Sequence, residues 1–92
     1  FERRQKLMEP LVVDVSSSKG RLELKAHPGE EFLLVLEGEC RFGFGREELR
    51  LRKGDALYFD PSVEHGVASV GTKGGWVLSV VTSRDFHLHG GV

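Results

Sequence analysis

The side chains with the most chemistry to offer lie between His27 and His65. This stretch opens with His27-Pro28-Gly29-Glu30-Glu31-Phe32, runs through Leu33-Leu34-Val35-Leu36-Glu37-Gly38-Glu39, and closes with Lys53-Gly54-Asp55-Ala56-Leu57-Tyr58-Phe59-Asp60 and Glu64-His65. Two histidines and a glutamate are carried here on short apolar runs bounded by turns, which is how a small β-barrel aims polar side chains into its mouth. Imidazole can ligate a metal, move a proton or hydrogen-bond. His87-Leu88-His89 spaces two more histidines on one face of an extended segment, but no carboxylate or third ligand is near in sequence, so they are read as a solvated tail. Cys40 is the single cysteine, which excludes an internal disulfide and a Cys-rich zinc site. It is read as a core residue rather than a reactive thiol. No general base or nucleophile arrangement is legible, and no catalytic residue is assigned.

The elements that must position these side chains are strands. Leu11 to Val15 reads as a first strand and Ser16 to Gly20 as a loop. From Arg21 to His27 the pattern alternates, with Leu22, Leu24 and Ala26 on one face and Arg21, Glu23, Lys25 and His27 on the other. Phe32 to Leu36 is apolar on both faces, so it is expected to be covered on one side by the barrel interior and on the other by a second sheet or subunit. Gly38 is expected to end that strand in a tight turn. Cys40, Phe42 and Phe44 then alternate with polar or small residues, Gly45 to Glu47 reads as a hairpin turn, and Leu49 and Leu51 mark another strand. Lys53-Gly54-Asp55 turns the chain, Ala56 to Phe59 is a strand, Asp60-Pro61-Ser62 is a turn, and His65 begins the next strand. Gly71 to Gly75 is a plain connection without the strand-to-helix context of a phosphate cradle, and Trp76 to Thr82 is the last strand. Seven or eight short strands with no amphipathic helix argue for an antiparallel sandwich or barrel. The domain reading is residues 1–10 as linker or arm, 11–83 as the barrel and 84–92 as tail.

At 92 residues the chain has room for one core. Thirteen Lys plus Arg against fourteen Asp plus Glu leave a net charge of -1, so this chain by itself is not expected to grip nucleic acid or an anionic membrane. No run approaches a membrane span, and the lone cysteine fits a reducing, cytoplasmic setting. Because a domain of this size buries only about 60% or a little more of its unfolded surface, dimerisation would help it. The sequence begins at Phe1 rather than Met, and is expected to be an excised segment.

Two stretches together resemble the cupin family of double-sheet barrels. The first, Lys25-Ala26-His27-Pro28-Gly29-Glu30-Glu31 with its strand running to Gly38, is similar to the first cupin motif; the second, Gly54-Asp55, Ala56 to Phe59, Pro61 and His65, is similar to the second. The resemblance implies an all-β, cupin-like double-stranded β-helix (jelly-roll) barrel. In metal-binding members, two histidines and a glutamate of the first motif and a histidine of the second hold one divalent ion. Carried over, these are His27, Glu31 and His65, with Lys25 standing where the other histidine would be. Two imidazoles and a carboxylate suit Fe, Mn, Ni or Zn, with positions left open. The alternative is that Lys25 replaces the metal, pairing with Glu31 and leaving both histidines to hydrogen-bond an anionic or polar ligand.

The implied ligand pocket comprises Lys25, His27, Glu31, Leu33, Val35, Phe42, Tyr58 and His65, with Phe44 and Trp76 as further lining candidates. Such motif wording is common in domains that follow a helix-turn-helix in bacterial regulators. The leading functional expectation is accordingly a small-molecule-sensing, homodimeric domain, with DNA reached only through an upstream part and Phe32 to Leu36 as the dimer seam. The alternatives are a small metal-dependent oxygenase or isomerase and a free-standing metabolite-binding protein.

Overall fold

The computed structural model describes residues 7–82. Residues 1–6 of the expected arm over 1–10, and the expected tail over 84–92 with His87 and His89, lie outside them, and Glu9 and Pro10 of that arm belong to the first strand. Six strands form: β1 Glu9–Asp14, β2 Glu31–Phe44, β3 Glu47–Arg52, β4 Ala56–Phe59, β5 His65–Ser69 and β6 Gly75–Val81, with a 3-10 turn at Val15–Ser18. All pairings between strands are antiparallel, as expected for an all-β barrel of this family type.

β2 is the backbone of the molecule. Its first half pairs with β6 and β4, and its second half with β3 and β5, so one continuous strand of 14 residues belongs to both sheets. Gly38 therefore does not end a strand, contrary to expectation. It sits at φ +76 inside β2, and a Cβ there would collide with the carbonyl oxygen of Gly74. Glycine is needed because the chain bends between sheets at this point while another backbone crosses it. A register shift between Val35 and Glu37 accompanies the bend. Inward residues are odd-numbered before it (Glu31, Leu33, Val35) and even-numbered after it (Cys40, Phe42), because one extra residue moves every following side chain to the other face. The turn before β4 is tied to this corner by Lys53 N–H to Gly38 O (3.0 Å), Gly54 N–H to Val35 O (2.8 Å) and Val35 N–H to Asp55 O (2.9 Å).

The core between the sheets is Val15, Leu33, Val35, Cys40, Phe42, Leu51 and Val77, with Val13, Phe44, Leu57, Phe59 and Val67 packed against it. Cys40 is fully buried, as expected of a core cysteine, and burial pushes its thiol pKa up to about 11. Residues 21–27 do not form the expected strand. Their strand-like pairing with the sheet is one bridge, Lys25 with His65. The alternation is nevertheless kept, since Leu22 and Leu24 lie over Gly43 while Arg21, Glu23, Lys25 and His27 turn the other way into a cleft. Arg41 holds the approach to this segment, its guanidinium donating to the carbonyls of Gly20 and Ser69. No helix among the described residues is long and apolar enough to cross a membrane.

Candidate metal centre

Three side chains from separate parts of the chain meet at one end of the barrel. Glu31 opens β2 with inward parity, which sends its carboxylate to the same interior as Leu33 and Val35. His65 opens β5, and its backbone is locked to the bridging segment by Lys25 N–H to His65 O (2.8 Å) and His65 N–H to Lys25 O (2.9 Å). His27 is placed by its own N–H, which donates to Pro61 O at 2.9 Å, just before the Pro28-Gly29 turn brings the chain into β2. Glu31 and His65 are buried and His27 is half-buried, so the group opens to solvent on the His27 side.

The two imidazoles converge on the same carboxylate oxygen. Nε2 of His27 lies 3.2 Å and Nε2 of His65 lies 3.1 Å from Glu31 Oε1, and the ring centroids are 5.1 Å apart. Nδ1 of His27 lies 3.1 Å from Pro28 O, and Nδ1 of His65 lies 2.8 Å from Val63 O. A carbonyl only accepts, so these contacts assign a ring N–H to Nδ1 of each imidazole and leave each Nε2 directed at the carboxylate. The ligating atoms of the three residues lie within 4.8 Å of one another. The donor set fits a divalent cation: two oriented imidazole nitrogens and one carboxylate, each with an outer partner fixing its direction. For Glu31 that partner is Ser79, whose hydroxyl donates to Oε2 at 2.9 Å.

Ser79 was not singled out from the sequence. Its signal was present as the one hydroxyl in the apolar run Val77 to Val81, at an inward-facing position. Phe59 adds an edge-on contact to the His65 ring at 5.0 Å.

A cleft of about 550 Å³ leads to this centre, lined by Lys25, His27, Glu31 and His65 together with Arg21, Glu23, Ser17, Ser18, Leu11, Val13, Gly66, Val67 and Val81. A smaller recess of about 130 Å³ behind it is lined by Leu33 and Phe42. Six of the eight expected pocket residues thus meet here. Val35 does not, because it is packed in the core at 1% exposure. Tyr58 is on the other side of its strand, 70% exposed with its hydroxyl donating to Glu30 at 2.8 Å, since β4 alternates and Leu57 and Phe59 take the inward positions. Trp76 faces outward for the same reason, while Phe44 packs against the core. Among the described residues, Lys25 makes no ion pair with Glu31, whose oxygens are taken by His27, His65 and Ser79.

The model of the cupin domain family matches residues 12–81. Among solved structures, the iron(II) form of HppE in complex with substrate superposes with a TM-score of 0.70 and 32% identity, covering 80% of this chain and 45% of that one. Hydroxypropylphosphonic acid epoxidase from S. wedmorenis in complex with fosfomycin gives a TM-score of 0.70 and 30% identity, over 82% of this chain and 43% of that one. A conserved protein of unknown function from Streptococcus pyogenes has a TM-score of 0.72 at 17% identity, over 89% and 69% of the two chains, a likeness of fold alone. The chain spans less than half the length of the epoxidase chains it matches. A comparison with the curated proteins found no match. With the family model covering most of the chain and the motif residues gathered at one end of a two-sheet barrel, this chain belongs to the cupin domain family.

Proposed function

We propose that this domain holds one divalent metal ion with His27, Glu31 and His65 and acts with it on a small anionic substrate admitted through the cleft. The observation that carries this is the convergence of two Nε2 atoms on Glu31 Oε1, at 3.2 and 3.1 Å, with each Nδ1 already committed to a carbonyl. Two imidazole nitrogens and a carboxylate oxygen gathered at that range make a donor set that a divalent cation fits. When bound, such an ion supplies Lewis acidity and, if redox-active, electron transfer at its open positions.

The chain's own residues do the rest. Ser79 holds Oε2 and so aims Oε1 at the histidines. Phe59 restrains the His65 ring and keeps one side of it dry. Arg21 and Lys25 line the cleft against Glu23 and Glu31, a balance of two positive and two negative side chains. A divalent ion tips that balance positive, which favours an anion beside it. One solved neighbour that is an iron(II) form in complex with substrate, and another named for a phosphonic acid, support the same direction. They also weigh toward turnover rather than the sensor role expected from the motif wording; that role would use the same pocket and a DNA-reading part upstream of it.

Metal analysis decides the first half of this proposal. The wild type, dialysed separately against Fe(II), Mn, Ni and Zn, is expected to retain one equivalent of at least one of them, and His65→Ala less than about a tenth of that. Calorimetry of the loaded protein with small phosphonates and carboxylates then tests the second half, with binding expected to weaken in Lys25→Gln. Wild type that retains no metal overturns the metal reading.

A further inference from the structure

Behind the metal centre the two sheets do not close fully on each other. The recess of about 130 Å³ left there is walled by β6 and the first half of β2 from one sheet, and by β5 and the second half of β2 from the other. Strand parity decides what lines it. Glu31 and Leu33 share one face of β2, Ser79 and Val77 one face of β6, and His65 and Val67 one face of β5. Each strand thus carries a polar residue of the centre and, two positions along, a hydrocarbon wall of the recess. Phe42, opposite Val67 in the register, adds an aromatic wall whose ring is held by Phe59 at 4.9 Å and Phe44 at 6.1 Å. Glu31, His65 and Val67 line the larger cleft as well, so the two spaces adjoin at the centre.

The recess has little to offer water. Its polar wall atoms are already committed: Glu31 Oε1 faces the two histidines, Glu31 Oε2 accepts from Ser79, and His65 Nδ1 donates to Val63 O. Among the described residues, no buried side-chain nitrogen or oxygen lacks a partner. A buried water needs two to four polar partners, whereas a hydrocarbon-walled cavity of about 150 Å³ stays dry and takes benzene or xenon.

We propose that this recess seats a compact apolar group of about six carbon atoms, a phenyl ring or a branched alkyl of similar bulk, carried by the ligand that enters the cleft. The assignment rests on the reading of the cleft as a small-ligand site and narrows it. The ligand is then amphipathic, with an anionic end on the side of Arg21 and Lys25 and an uncharged body against Leu33, Phe42, Val67 and Val77. A mostly apolar pocket with a few placed polar groups is the usual anatomy of such sites.

Benzene probes the recess alone, and metal-free protein is the sample, so the result does not depend on whether an ion binds. At about five times its dissociation constant, benzene is expected to raise Tm by about 4–8 °C. Val67→Phe, which places a ring of its own in the recess, is expected to abolish the shift. If that variant fails to fold, Val67→Leu is expected to weaken benzene by about threefold or more. Calorimetry then reads the ligand: benzylphosphonate is expected to bind about tenfold or more tighter than methylphosphonate, with metal and without it, because apolar contacts do not need the ion. Naphthylmethylphosphonate, too bulky for the recess, is expected to lose that gain. No shift with benzene overturns the proposal, and so does a shift that both Val67 variants retain, which puts the bound ring elsewhere. Equal affinity for the benzyl and methyl compounds overturns the recess as part of the ligand site. Protein that retains no metal and binds neither phosphonate overturns the proposed function, while the benzene measurement, which uses neither, still decides the recess.

Discussion

Glu31 is the residue through which the rest of the site is arranged. One of its oxygens faces both histidines and the other is held by Ser79, so the carboxylate is fixed from both ends. Removing an outer partner of a ligand typically costs 10- to 100-fold in metal affinity. Ser79→Ala is therefore expected to weaken metal binding by about tenfold without unfolding the domain, read by competition with a chelator. Cys40 gives a second test at this scale. Its thiol is fully buried and its pKa is pushed up to about 11 from an ordinary 9. It should resist alkylation at pH 8 in the native protein and react on unfolding. A raised pKa means the folded state holds the proton more tightly, so this stability contribution is intact below pH 9 and drains as pH rises from 9 toward about 11. Replacing Cys40 with Ala should flatten denaturation midpoints across that window.

At the scale of elements, the segment from Arg21 to His27 sets the cleft, although only its Lys25 bridge bonds it to β5 as a strand would. Its alternation was legible because polar and apolar residues trade places at every step. Its lack of strand pairing was not, because periodicity reports which faces are wet and dry and does not report which backbone lies alongside. Gly66 explains how closely the segment approaches, since a Cβ there would collide with the carbonyl oxygen of Glu23. Gly66→Ala is expected to push Arg21 to His27 off β5, destabilise the fold by about 1–3 kcal/mol, and lower metal affinity because His27 moves with the segment. Chemical denaturation and chelator competition would read the two effects; unchanged metal affinity would show that His27 is held by Pro61 alone. The same limit hid the continuity of β2. Gly38 looked like a stop signal, and only the crossing of Gly74 over it, together with the register shift at Val35 and Glu37, shows it as a bend between sheets.

For the whole molecule, the candidate metal centre brings His27, β2 and β5 together, so on the proposed function metal binding is linked to folding. A ligand at about 100 times its dissociation constant adds about 2.7 kcal/mol, which in a domain of this size raises Tm by about 10 °C or more. Thermal melts with metal and with chelator are expected to differ by that amount in the wild type and to coincide in His65→Ala.

The all-β class was readable in the sequence because strand alternation and turn glycines are local properties of the chain, while His27, Glu31 and His65 were singled out by the resemblance of residues 25 to 65 to the cupin motifs. Where Tyr58, Val35 and Ser79 belong was decided only by tertiary structure. Alternation says that two faces exist; which one meets the cleft depends on which sheet a strand joins and on a one-residue bulge far from the site. The recess behind the centre is likewise a product of registry, walled by Leu33, Phe42, Val67 and Val77, which have no reason to be neighbours until both sheets are formed.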